Sequence, residues 1–189
     1  GTVTVGGNLT ATTDDNNGVI NLGSLEVNGY LTLAPDRTGA VTIVNDENLK
    51  LALSNMGGTF SGKATAGDIT QVDDTSLTIG AASTFIIATG SNIALDKSGN
   101  TFSAGVTMKV GDGTSGSFGN ITFEEGAAVK LDSDVDEDGD LYLNAGTDLS
   151  VGGTLSITAG AGNITQGAAV TVAGTSSFET STSGADIAL

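Results

Sequence analysis

Apolar and polar residues alternate along most of this chain with a period of two. Thr2-Val-Thr-Val5, Leu31-Thr-Leu33, Val41-Thr-Ile-Val44, Leu77-Thr-Ile79, Leu141-Tyr-Leu143 and Leu155-Ser-Ile-Thr158 are the clearest runs. A strand turns successive side chains to opposite faces, so these runs predict short, half-buried strands. Val, Ile and Thr fill them, and a branched Cβ suits a pleated surface. Gly, Asn and Asp separate the runs; they tolerate positive φ and make corners. Ala stands mostly beside Gly, and no stretch keeps the spacing of an amphipathic helix. The single proline, Pro35, lies in Ala34-Pro-Asp-Arg-Thr-Gly39, a turn in which it removes no ladder bond.

The runs recur. Val5-Gly-Gly-Asn-Leu9, Val27-Asn-Gly-Tyr-Leu31, Val151-Gly-Gly-Thr-Leu155 and Val172-Ala-Gly-Thr175 share one theme, with offsets of 27 − 5 = 22 and 172 − 151 = 21. Leu51–Ala64 resembles Ile93–Val106 with an offset of 95 − 53 = 42. Gly67-Asp-Ile-Thr-Gln71 returns as Gly162-Asn-Ile-Thr-Gln166, 95 residues on. A rung of 21–24 residues with matching Asn and Gly corners predicts a parallel β-solenoid of about eight rungs. Each coil buries its apolar stripe only by stacking on its neighbours. The expected inward residues are Val5, Leu9, Ile20, Leu22, Val27, Leu31, Leu53, Phe60, Ile69, Ile79, Ile93, Leu95, Phe102, Ile121, Leu141, Leu143, Val151, Leu155, Ile164, Val172 and Ile187. No linker or composition shift divides residues 1–189, so one elongated domain is expected. Gly1 and Leu189 both fall in mid-pattern, as in a segment of a longer or matured polypeptide.

Composition narrows the function. Aromatics are 4% of the residues, which fits a narrow interior filled by Val, Ile, Leu and Ala. The net charge of −16 excludes nucleic acid as a partner, because phosphate binding needs Lys and Arg to displace counterions. It also disfavours anionic membrane surfaces. No apolar run approaches the roughly 18 residues of a membrane span, so no membrane insertion is expected. Cysteine and histidine are absent, which removes disulfides, thiol chemistry and the commonest general base. The sole arginine, Arg37, lies in a turn without a suitable carboxylate cluster nearby in sequence, and no enzymatic activity is expected.

The combination of Gly162-Asn-Ile-Thr-Gln166, Val170-Thr-Val-Ala-Gly174, Phe178 and Ala185-Asp-Ile-Ala-Leu189, with Asn100-Thr-Phe-Ser-Ala-Gly-Val106, resembles large bacterial surface exoproteins. These are the filamentous-haemagglutinin-like and two-partner-secretion adhesins and related giant β-strand-repeat proteins. The resemblance covers nearly the whole chain through degenerate motifs. It implies a right-handed parallel β-helix, an extracellular or cell-surface location, and a role in adhesion or as a fibrous stalk. Partners would then be a host-cell, matrix or neighbouring-subunit surface, or a carbohydrate. The alternatives are a carbohydrate-binding or carbohydrate-active β-helix, and a filament subunit joined through its open end rungs.

The densest chemistry is Asp132-Ser-Asp-Val-Asp-Glu-Asp-Gly-Asp140, six carboxylates in nine residues. Asp134, Asp136, Asp138, Gly139 and Asp140 fit the opening of an EF-hand-like Ca²⁺ loop, in which Gly lets the chain turn around the ion. The twelfth position is Ala145 rather than the bidentate Glu of the full motif. Asp132, Asn144 or Asp148 would have to supply the missing oxygens. Asp132, Asp134, Asp136, Asp138 and Asp140 are therefore the candidate Ca²⁺ ligands, set against a solvated acidic corner. Asp14-Asp-Asn-Asn-Gly18, Asp46-Glu47 and Asp73-Asp74 are polar turns. Asn100, Asn120 and Asn163, each after Gly, are expected to stack as an Asn ladder. The Thr2/Thr4 and Thr10/Thr12 pairs do not recur rung after rung, so an ordered-water surface is not expected.

Overall fold

The computed structural model describes residues 1–111, 116–126, 129–132, 140–143, 149–166 and 169–189. No helix occurs among them. The chain opens with β1 (Val3–Val5), β2 (Leu9–Thr12), β3 (Ile20–Val27) and β4 (Tyr30–Ala34). Next come β5 (Val41–Asn45), β6 (Leu49–Leu51), β7 (Ser54–Met56), β8 (Phe60–Ala64), β9 (Ile69–Gln71) and β10 (Leu77–Ile79). The middle holds β11 (Ser83–Ile87), β12 (Ile93–Leu95), β13 (Thr101–Phe102), β14 (Val106–Val110) and β15 (Ile121–Glu125). Then follow β16 (Val129–Asp132), β17 (Asp140–Leu143), β18 (Leu149–Val151) and β19 (Leu155–Ala159). The last strands are β20 (Ile164–Gln166), β21 (Val170–Val172), β22 (Ser176–Thr180) and β23 (Ile187–Ala188).

Every pairing between these strands is parallel. A ten-stranded sheet runs β1-β3-β5-β8-β11-β14-β17-β16-β20-β23, and an eight-stranded sheet runs β2-β4-β6-β9-β12-β15-β19-β22. Shorter sheets pair β7-β10-β13 and β18-β21. For most of its length the chain leaves one long sheet, rounds a corner, adds a strand to the other and returns, so each coil stacks on the last; β16 and β17 depart from this, being consecutive strands side by side in the ten-stranded sheet with β17 between β14 and β16. The eight-stranded sheet makes seven such steps: the fold is a β-solenoid of about seven turns, close to the eight rungs expected. The backbone groups that would be orphaned in a single coil pair with the coils above and below. Examples are Val41 N–H to Thr59 O at 2.8 Å, Leu49 N–H to Asp68 O at 2.9 Å and Ile93 N–H to Asn120 O at 3.0 Å.

Alternation builds the core. In β5, β8, β11, β15 and β19 every second residue is buried and those between are half-buried. Most of the predicted inward residues are buried, while Val5, Leu9, Leu22 and Val172 pack on the core from its margins. The side chains of Leu141 and Leu143 lie outside the description. Two expectations fail. Leu53 is 60% exposed, because Ala52 and Ser54 turn inward at the corner after β6. Ile187 is 46% exposed, on the final strand of its sheet. The interior is also less purely aliphatic than composition suggests. Phe60, Phe85, Phe102 and Phe123 form a row, with successive ring centroids 5.2, 6.3 and 5.3 Å apart. Edge and tilted contacts of this kind suit the ring quadrupole.

Stacking separates the repeats that matter from those that do not. Val5 pairs with Val27, Leu9 with Leu31, and Val151 with Val172, so the first repeat theme is in true register. Where it passes over the preceding coil, its glycine is required: a Cβ on Gly29 would strike Gly7 O and Asn8 Oδ1, and one on Gly174 would strike Gly153 O, whereas Gly6 and Gly7 on the first coil have open space. The 42-residue likeness is not in register. Phe60 stacks on Ser83 and Ser83 on Val106, an offset of 106 − 60 = 46. Leu49 stacks on Ile69 and Ile69 on Ile93, an offset of 93 − 49 = 44. The Ile-Thr-Gln copies even fall on different sheets, β9 in the eight-stranded one and β20 in the ten-stranded one.

Candidate functional site

The corner leading into the eight-stranded sheet carries a polar ladder. Asn48 Oδ1 accepts from Asp68 N–H at 2.8 Å, and Asp68 Oδ1 from Asn92 N–H at 2.7 Å. Asn92 Oδ1 accepts from Asn120 N–H at 2.7 Å, and Asn120 Oδ1 from Thr154 N–H at 2.8 Å. Each side chain thus holds the backbone of the next coil. Asn8 does the same for Tyr30, and Asn163 for Asp186. The expected Asn ladder is present at Asn120, with an equivalent bond at Asn163. Asn100 is not part of it.

Along this ladder the coils are 20, 24, 28 and 34 residues long. The longest, Asn120 to Thr154, is the one that contains the acidic stretch. Asp132 ends β16 and is in register with Tyr142, while Asp140 begins β17 and is in register with Lys130. Asp134, Asp136 and Asp138 lie outside the described residues. Among the described residues no three acidic side chains gather into a cluster that would hold a metal ion. The softer acidic turn at Asp14–Gly18 closes through Gly18 N–H to Asp15 O, and Asn17 takes a left-handed φ of 61°. Asn17 Oδ1 accepts from Thr38 N–H, so this turn stacks on the one after Pro35.

Inside the solenoid, polar side chains appear where the strand pattern breaks. Asn100 is fully buried. Its Oδ1 accepts from Leu77 N–H at 2.9 Å and from Gln71 Nε2 at 2.8 Å, and its Nδ2 donates to Gln71 Oε1 at 2.9 Å. Asn45, also fully buried, accepts from Val27 N–H at 2.9 Å and donates to Asn48 O at 2.7 Å. Among the described residues two buried side-chain oxygens lack such a partner, the Ser83 hydroxyl and Glu125 Oε1. Glu125 is 2% exposed. Burial pushes its carboxyl up to about 7, against a smaller lowering by a backbone hydrogen bond from Phe102.

A shallow cleft on the surface is lined by Leu53, Asp74, Thr75, Ser76, Asp96, Lys97, Ser98 and Glu124. Lys97 lies 3.0 Å from both Asp96 and Asp73. The hydrogen bond to Asp96 first, then that to Asp73, holds its ammonium above the usual lysine range. A lysine kept cationic in this way is the reverse of a proton-accepting base.

Several of these features were hidden in the sequence. Asn100 stands in a Gly-Asn pair like Asn120, yet one lies in the core and the other at a corner. Glu125 looks like an ordinary charged strand end beside Glu124, and only the stacking of β15 between β12 and β19 turns it inward. The hydroxyl array missing along the chain exists across it, since Thr42, Ser61, Thr84 and Thr107 are in register on consecutive strands.

Compared with known proteins, residues 38–109 and 126–189 match the family described as repeats of unknown function (DUF5649). No curated protein and no solved structure matches the chain.

Proposed function

The chain belongs to this family of repeats, and from that premise we propose that it is a structural segment of a bacterial extracellular surface protein, a stalk or filament that presents its lateral faces for adhesion. The observation behind this reading is the stacking of coil on coil along both long sheets. One core and one polar corner run from coil to coil, so the segment is stiff along its axis and extends by adding coils. Its partners are a host-cell, matrix or neighbouring-subunit surface. Its role is mechanical rather than catalytic, in keeping with the cationic Lys97 and the absence of histidine and cysteine. Antibody labelling of intact cells of the source organism tests the location. Labelling of intact cells is expected, and labelling only after lysis would overturn the reading.

Within this proposal the Asp132–Asp140 stretch binds Ca²⁺. So many adjacent carboxylates repel one another unless a cation lies among them. Addition of Ca²⁺ is expected to raise the melting temperature of the wild-type chain, and Asp136→Ala with Asp138→Ala is expected to remove the response without altering the fold. An unchanged melting temperature and no heat in a calorimetric titration would refute it.

A further inference from the structure

We infer that copies of this chain dock side by side, the outer face of the ten-stranded sheet of one against the outer face of the eight-stranded sheet of the next. On the ten-stranded sheet Val44, Lys63, Ile86 and Lys109 are in register on four consecutive strands and alternate aliphatic with cationic. Beside them runs the column Thr42, Ser61, Thr84 and Thr107. None of these eight residues is acidic, in a chain with 22 Asp and Glu and only 6 Lys and Arg, and all but the buried Thr107 are half-buried. Among the described residues neither Lys63 nor Lys109 forms an ion pair.

The eight-stranded sheet carries the complement. Glu124, Thr158 and Glu179 are in register on β15, β19 and β22, beside the column Thr122, Ser156 and Ser177. Stacked strands are about 4.8 Å apart, so each like-charged pair, two strands apart, spans about 10 Å along the axis. The spacing is the same on both faces because both are set by the same backbone ladder. A copy with a parallel axis, staggered by two coils, brings Lys63 to Glu124 and Lys109 to Glu179, with Ile86 against Thr158 between them. Small hydroxyl side chains on both faces let the sheets approach. The contact joins two different faces, so it repeats and builds an open lateral array rather than a closed pair. The remaining acidic charge repels, but at physiological salt it is screened beyond about 8 Å, while ions in contact are screened less. The inference goes beyond the scaffold reading, and it holds wherever the parent protein resides.

Sedimentation velocity of the whole chain against concentration tests it, in low and in physiological salt. Wild-type chain is expected to self-associate in physiological salt, where the long-range repulsion between the acidic chains is screened, and less in low salt, where it is not. Lys63→Glu with Lys109→Glu makes both faces acidic, and Glu124→Lys with Glu179→Lys makes both basic. Each double variant alone is expected to lose association at least about ten-fold, while a mixture of the two associates. The chain with all four changes regains association with itself, a rescue that damage to the fold cannot mimic. Carbodiimide crosslinking of the wild-type chain should join Lys63 to Glu124 and Lys109 to Glu179. The inference is overturned by a wild-type monomer at all concentrations, including one that instead binds an acidic glycan such as hyaluronate. It is equally overturned by association that survives the reversals or by a mixture that stays monomeric.

Discussion

Glu125 makes the stability of the solenoid depend on pH in a window where an ordinary glutamate has none. The side chain is 2% exposed, one carboxylate oxygen lacks a partner, and burial raises its carboxyl from 4.5 to about 7. In the folded chain the group therefore keeps its proton to a higher pH than in the unfolded chain. Between pH 4.5 and about 7 the folded state binds more protons, so stability falls as pH rises through that window and levels off above it. The difference of about 2.5 units, at 1.36 kcal/mol per unit, sets a ceiling of about 3.4 kcal/mol. Glu125→Gln keeps the size and removes the titration. Urea unfolding of both chains at pH 4, 5.5 and 8 isolates this group, because the other carboxylates are common to both. At pH 8 the Gln variant is expected to be more stable by about 2–3 kcal/mol, somewhat under the ceiling because its amide also meets a site with one unpartnered position. At pH 4 the advantage vanishes. A constant difference between the two chains from pH 4 to pH 8 would refute the reasoning.

Three further substitutions probe what holds the coils together. Asn100→Ala takes the Asn100 partner from Gln71 Oε1 and from the Leu77 N–H inside the core; a loss of about 3 kcal/mol in urea unfolding is expected, and a loss below about 1 kcal/mol would mean that water replaces the amide. Phe85→Ala removes the ring between Phe60 and Phe102 and should cost about 3–5 kcal/mol, with Phe85→Leu costing clearly less in the same assay. Gly153→Ala drives a Cβ into Asn120 Oδ1 and Gly119 O; a drop in melting temperature worth about 1–3 kcal/mol is expected, whereas the same change at Gly6, which has open space around it, should be nearly silent.

The two kinds of repeat in the chain show why some features were legible and others not. The Val-x-Gly-x-Leu theme spans a corner, and a corner that must pass over another backbone admits only a fixed number of residues and only glycine at its tightest point. Its copies therefore stack as they align in the sequence. The Leu51–Ala64 and Ile93–Val106 likeness spans strands and a variable connection. Local similarity there says nothing of how many residues the chain spends before its next strand, and Leu53 was misplaced for that reason. The coil from Asn120 to Thr154, within which the acidic stretch falls in sequence, spans 34 residues and is the longest along the corner ladder.

Alternation, β-branched residues and glycine corners were enough by themselves to determine parallel coils around an apolar interior, because strand periodicity and corner sterics act within a few residues. Only the tertiary structure decided register. It sent Asn100 and Glu125 inward, lined up the phenylalanines, and set Lys63 beside Ile86 and Lys109, and Glu124 beside Thr158 and Glu179. Those neighbours are 17 to 34 residues apart in sequence, and what joins them is the hydrogen-bond ladder between coils, whose partners depend on the summed lengths of every corner between them.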